Sequence, residues 1–220
     1  MNTLDSRFCR LGDTFAQRFS RPGLYNYDFN LPWLNRLDPK GGRFSINVQG
    51  TSDSKQEGKQ HFVIVRQEDK KLTADPPKLD IAVGDVVLWS TNDPNTPGFS
   101  IGGYSGKDSF NSASIAGEAL YSHAFGSADE IEWEDTNGHG LAGKITVKMP
   151  STQSPKEMEA FKEILTKGTV VVISGQKVQP AQVEILVGQT VFFAIEKAEG
   201  ITITDRRLKP DIPTPQSPIL

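Results

Sequence analysis

The chain repeats itself, and that repetition limits its fold before any local propensity does. Residues 183–193, VEILVGQTVFF, match residues 79–89, LDIAVGDVVLW. Both run from an apolar and an acidic residue through Ile to Val-Gly, then to an apolar stretch ending in an aromatic. Near the N-terminus, GDTF at 12–15 is followed by Phe19, Tyr25, Tyr27 and GGRFSINV at 41–48. The middle carries the same order: GEAL at 117–120, Phe125, Ile131, Trp133 and AGKITV at 142–147. The spacing from Phe19 to Tyr27 equals that from Phe125 to Trp133. In this light the chain runs back half, whole unit, front half. Residues 60–149 are expected to form one domain, and 8–49 with 169–205 a second, split and permuted one. At 220 residues there is room for two such units of roughly 100 residues, each burying its own core.

Short β-branched and aromatic segments between turn residues fill most of the length. HFVIV at 61–65, VVLWS at 86–90, KITVKM at 144–149, TVVVI at 169–173 and TVFFA at 190–194 predict strands of a sandwich or barrel. The polar stretch GTSDSKQEGK at 50–59 marks a linker. One segment breaks the pattern: 154–167 predicts a connecting α-helix. Ser154 is placed as N-cap, Pro155 at the first helical position and Glu157 to complete a capping box, with Gly168 as the stop. Its apolar face, Met158, Phe161, Ile164 and Leu165, either packs on a sandwich or docks a partner. The tail 206–220 holds Pro210, Pro213, Pro215 and Pro218, which preclude helix and leave a disordered segment or one laid along another surface.

Charge and motifs narrow the function. A net charge of -3 leaves no footprint for nucleic acid, and Arg206-Arg207 is too short for a basic patch. No 18-residue apolar run or signal-peptide core is present, and the single Cys9 allows no intrachain disulfide. A cytoplasmic chain, or one peripheral to a membrane complex, is expected. No GxSxG, GxGxxG, P-loop, HExxH or paired CxxC motif occurs, so no catalytic residues are assigned and an enzyme is not expected. The acidic run Asp129, Glu130, Glu132, Glu134 and Asp135, with Ile131 and Trp133 between, describes a strand with one solvated face.

VGDVVLW at 83–89, the Pro-containing turn NDPNTPG at 92–98, GEAL with Phe125, EIEWED at 130–135 and AGKITV at 142–147 stand in the order found in one family. The middle unit thereby resembles the cupredoxin fold of small blue copper proteins, and the two ends resemble a second unit of it, cut and permuted. The fold this implies is all-β: two Greek-key sandwiches joined by one short helix. The resemblance also implies a copper site of one thiolate, two imidazoles and a weak thioether. This chain departs from it. Asp135 stands at the cysteine position, Leu141 at the methionine position and Pro97-Gly98-Phe99 around the first histidine. Phe29 takes the cysteine place of the permuted unit. No metal ligands and no cofactor are therefore expected. His139, on the NGHG loop, is read as an exposed turn residue or a relic ligand, and His123 as facing solvent or a rim hydrogen bond. His61 opens a strand, and Cys9 is a small buried or half-buried hydrophobe.

The permuted unit carries an insertion between Tyr27 and Gly42, NLPWLNRLDPK at 30–40, where the family places its copper loop. Leu31, Trp33, Leu34 and Leu37 either plug the tip or form a contact surface, joined by Pro213 and Pro215 of the tail. The expected function is a non-enzymatic accessory or scaffold subunit bound to proteins of a larger assembly. The family's associations suggest a membrane photosynthetic or respiratory electron-transfer complex as host. Two alternatives stay open: an atypical metal-binding or electron-transfer protein using His139 and Asp135, and a polymer built by strand exchange.

Overall fold

Period-two alternation builds the strands. In YNYDF, Tyr25, Tyr27 and Phe29 turn inward while Asn26 and Asp28 face out. A computed structural model describes residues 3–31, 42–50 and 58–211. Among these residues the chain is all-β with one α-helix. The first half gives β1 (Asp13–Arg18), β2 (Gly23–Asn30), β3 (Phe44–Gln49), β4 (Gln60–Glu68) and β5 (Lys71–Asp75). It continues with β6 (Lys78–Ala82), β7 (Val86–Ser90), β8 (Ser100–Ser105) and β9 (Asp108–Asn111). The second half gives β10 (Ala119–Ala124), β11 (Asp129–Glu134), β12 (Ala142–Lys148), α1 (Pro155–Leu165) and β13 (Thr169–Ser174). It ends with β14 (Lys177–Gln179), β15 (Gln182–Leu186), β16 (Thr190–Lys197) and β17 (Thr204–Asp205).

One eight-stranded sheet, β14-β13-β16-β10-β1-β7-β4-β5, runs through the whole molecule. The five-stranded sheet β6-β3-β2-β8-β9 covers one half of its inner face, and the four-stranded sheet β15-β12-β11-β17 belongs to the other. Aromatic side chains lock the layers: Tyr27 meets Trp89 edge-on at 5.6 Å, and Trp133 meets Phe193 at 5.5 Å.

Strand pairing corrects the expected division into domains. β3 pairs with β6 and β1 with β7, so 13–49 is completed by the segment that follows it, 60–111. β12 pairs with β15 and β10 with β16, so 119–148 is completed by 169–205. Residues 60–149 are not one unit, and neither unit is permuted: two like units follow one another in tandem. The repeat has two front halves and two back halves, and its pattern alone does not say which pair. The tandem arrangement closes only neighbouring segments, whereas the split one would also have to close 8–49 on 169–205 across the whole intervening chain. The units meet edge to edge through antiparallel β1 and β10, with Phe15 directly opposite Tyr121.

The helix forms as its caps predict. Ser154 accepts from the Glu157 N–H while the Glu157 side chain reaches back to the Ser154 N–H, and Pro155 opens the first turn. Its apolar face packs only in part: Phe161 and Ile164 are half-buried, whereas Met158 and Leu165 are each 39 % exposed.

Candidate functional site

The positions that the resemblance assigns to a metal are filled by packing and hydrogen bonds, and the tandem pairing divides them differently. Phe29 and Phe99 lie in the same unit, ring against ring at 5.6 Å. Asp135 sits in the other unit, at the turn after β11, with its carboxylate fully enclosed. Its Oδ1 accepts from the N–H of Thr202 (2.8 Å), the Thr202 hydroxyl (3.2 Å) and the N–H of Asn137 (3.1 Å). Its Oδ2 accepts from the N–H of His139 and lies 2.8 Å from His139 Nδ1. Burial opposes the charge, but the N–H groups of His139, Thr202 and Asn137 more than offset it and hold the pKa below the ordinary value. Both oxygens are spent on the fold. His139 remains exposed, as expected of a turn residue, and lines a shallow crevice of about 450 Å3 with Lys197 and Glu199.

The other histidines rest on aspartates as well. His61 Nε2 lies 2.8 Å from Asp85 Oδ2, and Asp85 also accepts from the N–H groups of Lys59 and Ala82. Its repeat equivalent is Gln189, whose Oε1 accepts from the Leu186 N–H. The Gln189 amide donates to the carbonyls of Ile164 and Lys167 at the end of α1. An amide serves there because helix ends leave carbonyls that need a donor, which a carboxylate lacks.

Of the two expectations for His123, solvent or a rim hydrogen bond, the first is corrected: the ring is hydrogen-bonded, and in the interior rather than at a rim. It is buried at the seam between the units, with Nδ1 2.6 Å from Asp13 Oδ1, and the Tyr121 hydroxyl donates to the same oxygen at 2.9 Å. The Arg10 N–H donates to Asp13 Oδ2. β1 and β10 are direct neighbours with Asp13 opposite His123, so the antiparallel register itself places this pair. Cys9 is fully buried nearby, as expected of a small hydrophobe; burial and then the Asp13 carboxylate push its thiol pKa well up. The cluster ties two sandwiches together; its thiol is held in the protonated, unreactive form. Among the described residues no group of three or more His, Cys, Asp or Glu side chains is gathered that could hold a metal ion.

The acidic strand β11 has one solvated face, as its sequence suggests, with Ile131 and Trp133 buried on the other, and its carboxylates carry ion pairs. Arg206 pairs with Glu132 and Glu134, Arg207 with Asp129 and Asp205, and Lys144 with Glu130. The Arg206-Arg207 pair thus pins to β11 the start of a 3-10 turn, Arg206–Asp211, which corrects the expectation that the prolines keep the whole of 206–220 free of helix.

The feature that the sequence reading missed lies on the outer face of the eight-stranded sheet. The registers align one residue from each of six strands in a row: Phe62, Leu88, Ala16, Leu120, Ala194 and Val172. Every member is apolar. The adjacent row reads Ile64, Ser90, Thr14, Ser122, Phe192 and Val170. Phe62 is 60 % exposed and Val170 51 %, at opposite ends of the patch. The signal was present in HFVIV, VVLWS, TVVVI and TVFFA. A strand with one solvated face alternates, whereas unbroken apolar runs give both faces apolar side chains. With strands about 4.8 Å apart and alternate residues about 6.8 Å apart, the two rows span on the order of 400 Å2. Ala16 and Ser122 at its centre are buried between their larger neighbours, so the apolar exposure is greatest toward the ends, at Phe62 and Val170.

Of the residues expected to bind a partner, Leu31 is half-buried and packs against the core. Trp33, Leu34, Leu37, Pro213 and Pro215 lie outside the described residues. Among the described residues no helix is long and apolar enough to cross a membrane. No protein-family model, curated protein or solved structure matches this chain.

Proposed function

We propose that this protein is a non-enzymatic assembly subunit, a cupredoxin-like scaffold that enters a larger complex through the outer face of its eight-stranded sheet. The observation that carries this is the unbroken apolar row from Phe62 to Val172. Exposing such a row to water is unfavourable by about 25 cal/mol per Å2, and a partner relieves it. The positions that the resemblance assigns to ligands support the same reading, because Asp135, Phe29 and Phe99 serve packing and hydrogen bonding. By fold analogy alone, the host we propose is a membrane electron-transfer complex of the respiratory or photosynthetic kind. The test is native-gel migration of the wild type and of Leu120→Arg in gently solubilised cells. We expect the wild type to travel with a larger assembly and the folded variant to be released from it. A wild type running alone, or a variant that stays bound, would sink the proposal.

A further inference from the structure

Resting on that reading of the outer face, we infer that its occupant is a second copy of this chain, related by a two-fold axis parallel to the strands and midway between β1 and β10. The argument is self-complementarity. Rotation about that axis places β1 over the partner's β10, β7 over its β16 and β4 over its β13. Rows keep their level, so Ala16 faces Leu120, Leu88 faces Ala194 and Phe62 faces Val172 across the interface. In the central pairs a large side chain meets a small one, which lets two sheets interdigitate at the ~10 Å spacing of packed sheets. In the next row Ser90 faces Phe192 in the same way.

Charge agrees with shape. Arg18 and Glu118 are neighbours at the border of the apolar rows, joined by the Arg18 N–H to the Glu118 carbonyl; both residues are exposed, and the Glu118 carboxylate also accepts from the Ser20 hydroxyl of its own chain at 2.7 Å. The same rotation sets Arg18 of each copy opposite Glu118 of the other, so the border carries two symmetry-related pairs of opposite charges. A centre of about 400 Å2, apolar along one row and mixed with the hydroxyls of Thr14, Ser90 and Ser122 in the next, lies within the roughly 800 Å2 that each partner gives to a standard interface.

Sedimentation equilibrium of the full chain across a wide concentration range tests this. The expected mass is twice 24.1 kDa. Leu120→Arg and, at the exposed edge, Phe62→Lys should each give a folded monomer by circular dichroism. Arg18→Glu alone should raise the dissociation constant about tenfold, and Arg18→Glu with Glu118→Arg should restore it. A wild type that stays monomeric, or a dimer unmoved by both face variants, overturns the inference. Flotation of a monomer with anionic vesicles overturns it in favour of a membrane surface. If the wild type alone is monomeric while Leu120→Arg still releases it from the larger assembly, the second copy is wrong and the docking face stands. If neither mass nor assembly responds, both fall.

Discussion

Asp135→Ala removes one carboxylate that three backbone N–H groups and two side chains share. The largest loss is at Thr202: its N–H is buried, 2.8 Å from Oδ1, and the substitution leaves it unpaired, at about 2 kcal/mol. The N–H groups of Asn137 and His139 sit on an exposed turn and can turn to water, so each adds about 0.5–1 kcal/mol. The expected destabilisation is about 3–4 kcal/mol. At roughly 2–4 °C per kcal/mol for a chain of this size, Tm falls by about 10 °C. Asp135→Asn keeps Oδ1 for Thr202 and Asn137 but turns an amide N–H2 toward the His139 N–H, and costs about half as much. Urea unfolding of the three proteins measures this. The pH dependence follows from the sign of the shift. The folded-state pKa of Asp135 lies below the ordinary 3.8, so the charged form stabilises the fold at all pH values above that. The gap between wild type and Asp135→Ala should hold constant down to about pH 5 and shrink below it, as the unfolded chain takes up a proton that the folded carboxylate still refuses, until the folded form protonates too. Equal costs for Ala and Asn, or a cost under about 1 kcal/mol, would refute the view that this carboxylate organises the turn.

Two further outcomes follow from packing. Gly143 lies opposite Trp133, and a Cβ there would come within 2.7 Å of the indole Nε1 and of the Ala181 carbonyl. Gly143→Ala should therefore cost about 2–3 kcal/mol in a urea melt, and a neutral result would contradict the close approach of β12 to that ring. Cys9 is fully buried with its thiol pKa raised, first by burial and then by Asp13. It should react with a thiol reagent ~10^3-fold or more slowly than in the unfolded chain; native-state labelling at the unfolded rate would show that the seam is open.

Much of the molecule was legible because local chemistry decides it. Strand identity came from β-branched and aromatic runs between turn residues, and α1 from Ser154, Pro155 and Glu157, which satisfy helix-end N–H groups wherever the helix sits. The burial of Cys9 and the exposed turn at His139 also followed from their neighbours in sequence.

What escaped was everything that depends on which strand lies beside which. The repeat announced two units, but its halves are alike, and only the pairing of β3 with β6 and of β12 with β15 shows that each front half closes on the back half next to it. His123 reads as a strand residue facing solvent or a rim hydrogen bond until β1 brings Asp13 opposite it, when its ring becomes part of a buried network. The outer row is of the same kind. Phe62, Leu88, Ala16, Leu120, Ala194 and Val172 are scattered from position 16 to 194, and each is unremarked in its own segment. Hydrophobic patterning tells a strand which of its faces are apolar, since that is set by residues two apart. Only strand order and register, fixed by long-range hydrogen bonds, decide whether those faces line up into a surface.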